Sequence, residues 1–491
     1  MGRSRTPGTV IVGALLTLTT ALLLPTPSQA TNPRAAQVTG TLRISDTTVA
    51  PGERIAFTGK VPPQRSRTVK LQTFRNGSWA VLATKQTSRR GGFRFSTISP
   101  TRAGEHDYRV LAPAATLGGR RYGSVTTPAR TLTVVTMVDA AGGWRHNCAL
   151  GSNGRAWCWG SNEFGELGDG TGGTSDDTPV SGPVRVLGTE WTDISAAGAS
   201  TCGVRTDHSG WCWGDGATYM FADAGGWVPA PAQLPGDWSQ LSAGAFYACG
   251  VHTDGTGWCQ GQNDEGQLGT AEPVSTTTPV QVPGSWIEIV SGAGFESVTT
   301  CGIKANRSAW CWGSGGQGQL GNNGTTSSAT PVKVVGGREW ASLSVGGAHV
   351  CGTTTDGAGW CWGENTDGRV GDGSNLNARR VPFRVTVADT WSSLDAGFQH
   401  TCGSTTDGTG WCWGRNDQGQ LGNGTHETTY FPVPPPTQLE GAWTRVVAGF
   451  NGSVGTQESG FAWAWGEATH GQTGQGPSGL ATTPVQVAIA P

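Results

Sequence analysis

Residues 400 to 422 read HTCGSTTDGTGWCWGRNDQGQLG, and their punctuation decides the architecture. Thr401 to Thr405 and Gly410 to Gly414 flank Asp407-Gly408, a dipeptide that favours the tight turn of a β-hairpin. Upstream, Trp391 to Gly397 (WSSLDAG) alternates and stops at glycine, the pattern of a half-buried strand. Downstream, Gly419-Gln420-Leu421-Gly422 is a connector. In other copies a strand written PVxV follows it, at Pro183 to Val186, Pro279 to Val282, Pro331 to Val334 and Pro484 to Val487. The stretch predicts four short consecutive strands.

The same stretch recurs along the chain. Trp-Cys-Trp-Gly stands at Trp157, Trp211, Trp310, Trp360 and Trp411, with variants at Trp258 (WCQG) and Trp463 (WAWG). The seven copies are 54, 47, 52, 50, 51 and 52 residues apart. Eleven residues before the first Cys of a unit stands a second mark, at Trp191, Trp238, Trp340 and Trp391. Trp443 holds the same place in the last unit, Met137 in the first, and Trp286 is displaced by four residues. A period near fifty residues belongs to propeller blades, whose radial repetition protects sheet edges. The expected fold is all-β: a seven-bladed β-propeller over residues 137–491, preceded by a small β-sandwich.

Composition agrees. Among 491 residues are 79 Gly, 27 Pro and 22 Trp but only 14% charged residues, and Gly at that density would cost long helices about 1 kcal/mol per substitution for Ala. A net charge of −2 together with so much Trp also excludes a disordered chain. Residues 36–136 hold 16 Lys and Arg against 4 Asp and Glu, whereas residues 137–491 hold 14 against 31 and all 12 Cys, so two differently built domains meet near residue 137. Residues 1–30 read as a signal peptide: Arg3 and Arg5, an apolar run from Val10 to Leu24, then Ser28-Gln29-Ala30. Cleavage is expected near Thr31, no transmembrane segment is expected after it, and the protein is expected to be secreted, extracellular or envelope-associated.

With His400-Thr401-Cys402, Asp407-Gly408, Trp413-Gly414, Asn416 and Gly419-Gln420-Leu421-Gly422, the unit resembles the regulator of chromosome condensation repeat in its cysteine-containing bacterial form. The resemblance covers residues 137–491 and implies a seven-bladed propeller. It implies less about activity, because one fold hosts unrelated functions. The namesake is a nuclear guanine-nucleotide exchange factor that also engages chromatin, and a secreted propeller resembling the family inhibits β-lactamases by covering their active site.

The cysteines stand in C-x9-C pairs, Cys148 with Cys158, Cys202 with Cys212, Cys249 with Cys259, Cys301 with Cys311, Cys351 with Cys361 and Cys402 with Cys412. In the seventh unit both partners are replaced together, by Val454 and Ala464. Flanking a tight turn on adjacent antiparallel strands, such pairs fit disulfides. Zinc is the rival reading, but it favours closer C-x2-4-C spacing and four ligands. No cofactor, metal or catalytic residue is expected. His146, His349 and His400 stand two residues before a Cys and read as hydrogen bonds fixing the loop before the second strand. In Trp-Cys-Trp the two Trp share one face, which reads as packing between blades, while Trp79, Trp144 and Trp227 fall outside both marks.

Departures from the repeat point to function. Unit two carries an insertion with Tyr219, Met220, Phe221 and Trp227, and unit four inserts residues around Phe295 and Glu296. In an up-down-up-down blade both connectors emerge on one face, the candidate partner-binding surface. Residues 36–136 resemble a bacterial immunoglobulin-like sandwich, with alternating runs at Arg54 to Phe57, Thr68 to Thr73, Trp79 to Ala83, Phe93 to Ser96, His106 to Leu111 and Thr131 to Val135. Its Arg65, Arg67, Arg89, Arg90, Arg120 and Arg121 would suit an anionic cell-wall polymer or membrane surface, the acidic propeller itself, or a plain solvated face. The leading expectation is a non-enzymatic, monomeric recognition protein that binds an extracellular protein, one form of which is enzyme inhibition. The alternative is envelope or glycan attachment, with Trp227 and the loop from Tyr219 to Phe221 as stacking candidates. A propeller lyase or hydrolase and a nucleotide-exchange activity rank lower, and a nucleic-acid partner is disfavoured by the acidic propeller.

Overall fold

A computed structural model describes residues 39–487 apart from 50, 51, 53, 101, 103, 173–179, 216–226, 272–273, 295–297, 375–376, 386, 389 and 428–435. Its described residues form strands, turns and loops without a helix. Each sequence repeat makes an antiparallel meander. In the sixth, Trp391–Ala396, His400–Thr405, Gly410–Gly414 and Thr437–Leu439 lie side by side, with Cys402 directly opposite Cys412. A β-bulge between Trp391 and Ser393, matched in every unit, re-aims the residues that follow the inner-strand Trp.

Units two to four merge into one ten-stranded sheet. Two 16-residue strands, Val228–Ala243 and Thr276–Ser291, are the outer strand of one unit and continue as the inner strand of the next. The change of partner falls at Pro235-Gly236 and Pro283-Gly284, where Gly236 and Gly284 take φ of 109° and 125°, a region closed to other residues.

The two faces of the Trp-Cys-Trp strand pack oppositely, as period-two alternation requires. Trp213, Trp312, Trp362, Trp413 and Trp465 are fully buried, each 5.4–5.7 Å from the inner-strand Trp of its own unit. The disulfides lie on the other face and join the core of the following unit: Cys402 and Cys412 pack with Val446 and Trp465. In unit seven Val454 and Ala464 fill that position and pack with Met137, Ala149 and Trp157. The ring therefore closes by side-chain packing between the last and first units, each keeping its own four strands. Two hydrogen bonds of 2.8 Å, from Asn147 Nδ2 and Trp159 Nε1 to the Gln472 carbonyl, complete the seam.

The preceding segment forms two facing sheets. One holds Thr41–Ile44, Arg54–Lys60 and Gly92–Ile98; the other is built mainly of Arg130–Val134, Gly104–Ala112, Thr68–Arg75 and Ser78–Gln86. Their core contains Ile55, Phe57, Val69, Leu71, Phe95, Tyr108 and Val110. Sequence reading missed Thr41–Ile44 and the hairpin Ala115–Leu117/Arg120–Tyr122, whose strands are too short to show alternation. One end of this unit meets the propeller: Asp46 bridges Arg185 at 3.0 Å and Arg155 at 3.6 Å, and Arg155 Nη1 donates to the Thr48 carbonyl at 3.0 Å. The contact lies on the propeller end that carries the hairpins between second and third strands, so the opposite, connector face is left open.

Candidate functional site

The bulges turn Asp139, Asp193, Gln240, Glu288 and Arg445 into the axial channel. An inner strand would otherwise leave its edge N–H groups unpaired. Here the side chains of one unit accept from the inner strand of the next. Asp193 Oδ2 takes the Leu241 N–H at 3.3 Å, Ser195 Oγ the Ala243 N–H at 3.1 Å, and Gln240 Oε1 the Ile289 N–H at 3.3 Å. Further round, Glu288 Oε2 takes the Leu343 N–H at 3.0 Å, Ser344 Oγ the Ala396 N–H at 3.0 Å, and Asp395 Oδ1 the Ala448 N–H at 3.1 Å. Between units seven and one an ion pair takes over, Arg445 Nε to Asp139 Oδ1 at 2.8 Å.

One guanidinium thus faces four carboxylates. Burial pushes Asp193 up to about 6, with the Asp139 charge adding to it, Asp395 up to about 6, and Glu288 up to about 7. Burial opposes the charge on Arg445, but Asp139, Asp395, Asp193 and Glu288 outweigh it and raise its pKa. In the unfolded chain these acids ionise near 4, so between about pH 4 and pH 7 the folded state binds more protons. Their contribution to stability falls as pH rises through that window. Glu288→Gln, which keeps the acceptor and removes the charge, is expected to match the parent melting temperature at pH 4 and exceed it at pH 8. Equal or lower melting at pH 8 would contradict this account of the channel.

A second set of bonds runs nearer the connector face. Thr201, Thr401 and Ser453 donate their hydroxyls to the carbonyls of Glu166, Arg369 and Gln420 at 2.7–2.9 Å. The indole N–H groups of Trp213, Trp413 and Trp465 reach the same carbonyls at 2.9 Å. With the hydroxyl proton committed, its lone pair takes the Nε2–H of His146, His349 or His400 from the preceding unit, at 2.8–2.9 Å. Burial holds His146 and His400 at about 3 and His349 well below its usual value, so all three stay neutral. Their bonds therefore join one unit to the next, rather than only fixing their own loops as the sequence led us to expect.

The loops between first and second strands form the channel mouth. Four of them tie to the next through the backbone: Trp144 N–H to Gly198 O at 2.7 Å, Gly347 N–H to Gly397 O at 3.1 Å, Phe398 N–H to Gly449 O at 3.0 Å and Phe450 N–H to Gly143 O at 3.3 Å. Four residues before the first Cys position, units six, seven and one carry Phe398, Phe450 and Trp144, where Gly198, Ala245 and Gly347 stand elsewhere. Phe398 stacks on Phe450 at 4.0 Å, and Trp144 meets Phe450 edge-on at 5.8 Å. All three are half-buried. Beside Phe398 a cleft of about 620 Å³ opens toward Gly347, Gln317 and Arg369. Arg369, 2% exposed, replaces the connector Gln and is held by Glu364 at 3.0 Å and by Asp367.

All six expected disulfides form, Cys148–Cys158, Cys202–Cys212, Cys249–Cys259, Cys301–Cys311, Cys351–Cys361 and Cys402–Cys412. Of the candidate contact residues, Trp227 is 40% exposed and meets Phe164 edge-on at 5.8 Å, on the connector face. Tyr219, Met220, Phe221, Phe295 and Glu296 lie outside the described residues. Phe398 and Phe450 were missed, although aligning the seven repeats at that one loop position would have exposed them.

Two family models, both described as the regulator of chromosome condensation (RCC1) repeat, match this chain: one at residues 137–166 and 391–420, the other at 153–204, 308–352, 356–403 and 407–455. The chain carries RCC1 repeats. Among curated relatives, the ultraviolet-B receptor UVR8 of Arabidopsis thaliana is 27% identical over 72% of this chain and 81% of its own. The human E3 ubiquitin-protein ligase HERC2 is 24% identical over 62% of this chain, but the match spans only 5% of that protein. Among solved structures, human WBSCR16 superposes with a TM-score of 0.57 at 18% identity, over 70% of this chain and 94% of that one. Prp20p from Saccharomyces cerevisiae, whose structure was described with its binding to Gsp1p and histones, gives 0.56 at 18% identity, over 66% and 84%. At such identity these structures establish the RCC1-type propeller fold alone.

Proposed function

We propose that this chain is an exported, non-enzymatic recognition protein whose RCC1-type propeller binds another protein through its connector face, one form of which is inhibition of an extracellular enzyme. The observation that carries this reading is the aromatic arc Trp144–Phe450–Phe398. Its residues depart from small residues at equivalent positions and sit half-buried at the channel mouth instead of entering a blade core. Half-buried aromatic residues beside a cleft are the usual anchors of protein interfaces, because they bury large area at little entropic cost. Six disulfides and the apolar segment before Thr31 support an oxidising compartment.

The test is capture from extracellular and envelope fractions with the whole chain as bait, followed by identification of the retained protein. Trp144→Ala combined with Phe450→Ala is expected to weaken capture at least tenfold, or about 1.4 kcal/mol, while leaving melting near the parent value. Undiminished capture by that variant would remove the arc from the interface.

A further inference from the structure

The described acidic residues of the small sandwich gather toward one end, whereas its basic residues occur at both. Among its described acidic residues, Asp46, Glu105 and Asp107 lie in the half nearer the propeller: Asp46 pairs with propeller arginines, and Glu105 and Asp107 sit in the first half of Gly104–Ala112, opposite Thr133 and Thr131. The far end is made of three segments, residues 62–67, 87–91 and the hairpin Ala115–Leu117/Arg120–Tyr122. These bring together Arg65, Arg89, Arg90, Arg120 and Arg121, all exposed and none with a carboxylate partner among the described residues.

The far end is a built surface. Arg67, 2% exposed, places its guanidinium among backbone carbonyls of two segments: Nη1 donates to Pro62 at 2.9 Å, and Nη2 reaches Ala112 at 3.3 Å, Gly123 at 3.1 Å and also Pro113. The third segment is tied in by Thr87, which accepts the Arg67 N–H at 3.0 Å and donates to the Arg65 carbonyl at 3.1 Å, while Ser66 Oγ donates to the Thr87 carbonyl at 2.9 Å. A buried cation thus organises loops that carry five exposed ones. Between them lies a shallow cleft of about 490 Å³ lined by Gln64, Arg65, Ser66, Arg89 and Thr116. Guanidinium forks with hydroxyl and amide donors between them match a chain of phosphate or sulfate groups. A bilayer is a poorer fit: the exposed large apolar side chains of this domain, Phe74, Val81, Leu82 and Ile98, lie along its flank or at the propeller end.

We infer that the far end of the sandwich is a binding site for a phosphate-bearing linear polymer of the cell envelope, which leaves the propeller face free for its own partner. The site is independent of the aromatic arc. Sodium polyphosphate serves as the probe, titrated into the whole chain at several salt concentrations. Parent protein is expected to bind with log Kd rising with log salt. Arg89→Ser, Arg90→Ser, Arg120→Ser and Arg121→Ser together are expected to weaken binding at least tenfold and to flatten that slope by about 0.7 per arginine. Arg54→Ser, Arg75→Ser and Arg102→Ser, at the propeller end, are expected to leave it unchanged. The Trp144→Ala, Phe450→Ala variant is expected to bind polyphosphate normally, so failure here is distinct from failure of the propeller reading. Equal loss in the propeller-end variant, absence of polyphosphate binding, or retention only on phosphatidylglycerol vesicles would each overturn the inference.

Discussion

Reduction and alkylation of all twelve cysteines is expected to abolish the cooperative melting of the propeller and shift its Trp fluorescence to the emission of exposed indole. Each disulfide joins residues ten apart in sequence, and in the chain-entropy account a loop of that size contributes about 2.5 to 3 kcal/mol. Six such terms together exceed the roughly 5 to 15 kcal/mol by which folded domains are usually stable. The geometry concentrates the effect. Every bonded pair is fully buried and packs on the inner-strand Trp of the next unit, as Cys351 and Cys361 do on Trp391, so two reduced thiols would crowd a core shaped for one bridge. Removing one bridge, with Cys402→Ala and Cys412→Ala, is expected to cost about 2 to 3 kcal/mol in chemical denaturation. Unchanged melting after complete reduction would mean that packing between units alone carries the ring.

The fold was legible because its signals are local and repeated. Asp407-Gly408 marks the hairpin, Trp413 and Cys412 mark the two buried faces, and seven copies turn weak individual signals into one period. Cysteine pairing was legible for the same reason, since register across a tight turn is fixed by spacing. The channel was not legible. Asp139, Asp193, Glu288 and Arg445 each look like one polar residue on a short strand, and only ring closure brings the acids near one another and near the single arginine. His400 shows the same limit. Its spacing to Cys402 is plain, but its partner Ser453 is 53 residues away in the next unit. The aromatic arc lies between these cases, because Phe398 and Phe450 depart visibly from the repeat while their stacking at 4.0 Å needs the neighbouring loop.

Trp413→Ala is expected to destabilise the propeller by about 3 to 5 kcal/mol, the range for deleting a buried indole. Trp413 is 1% exposed, lies 5.7 Å from Trp391, and donates its N–H to the Arg369 carbonyl at 2.9 Å. Little can collapse into the vacated space. Gly371, at φ 73°, already approaches so closely that a Cβ there would lie 2.6 Å from the indole nitrogen, and its backbone is held in the connector turn. The carbonyl itself would keep one partner, the Thr401 hydroxyl at 2.7 Å, so most of the cost is lost packing rather than a stranded acceptor. Trp413→Phe separates the two contributions: it retains most of the buried ring, gives up the N–H bond, and is expected to cost about 1 to 2 kcal/mol. Denaturant titration of both variants, with partner capture measured on the folded fraction, distinguishes core from ligand platform. A repeat Trp that stacked on a bound molecule would lose capture while melting stayed normal. The packing seen here requires the reverse, falling stability with capture intact, because Trp413 is 1% exposed and faces the connector of the preceding unit.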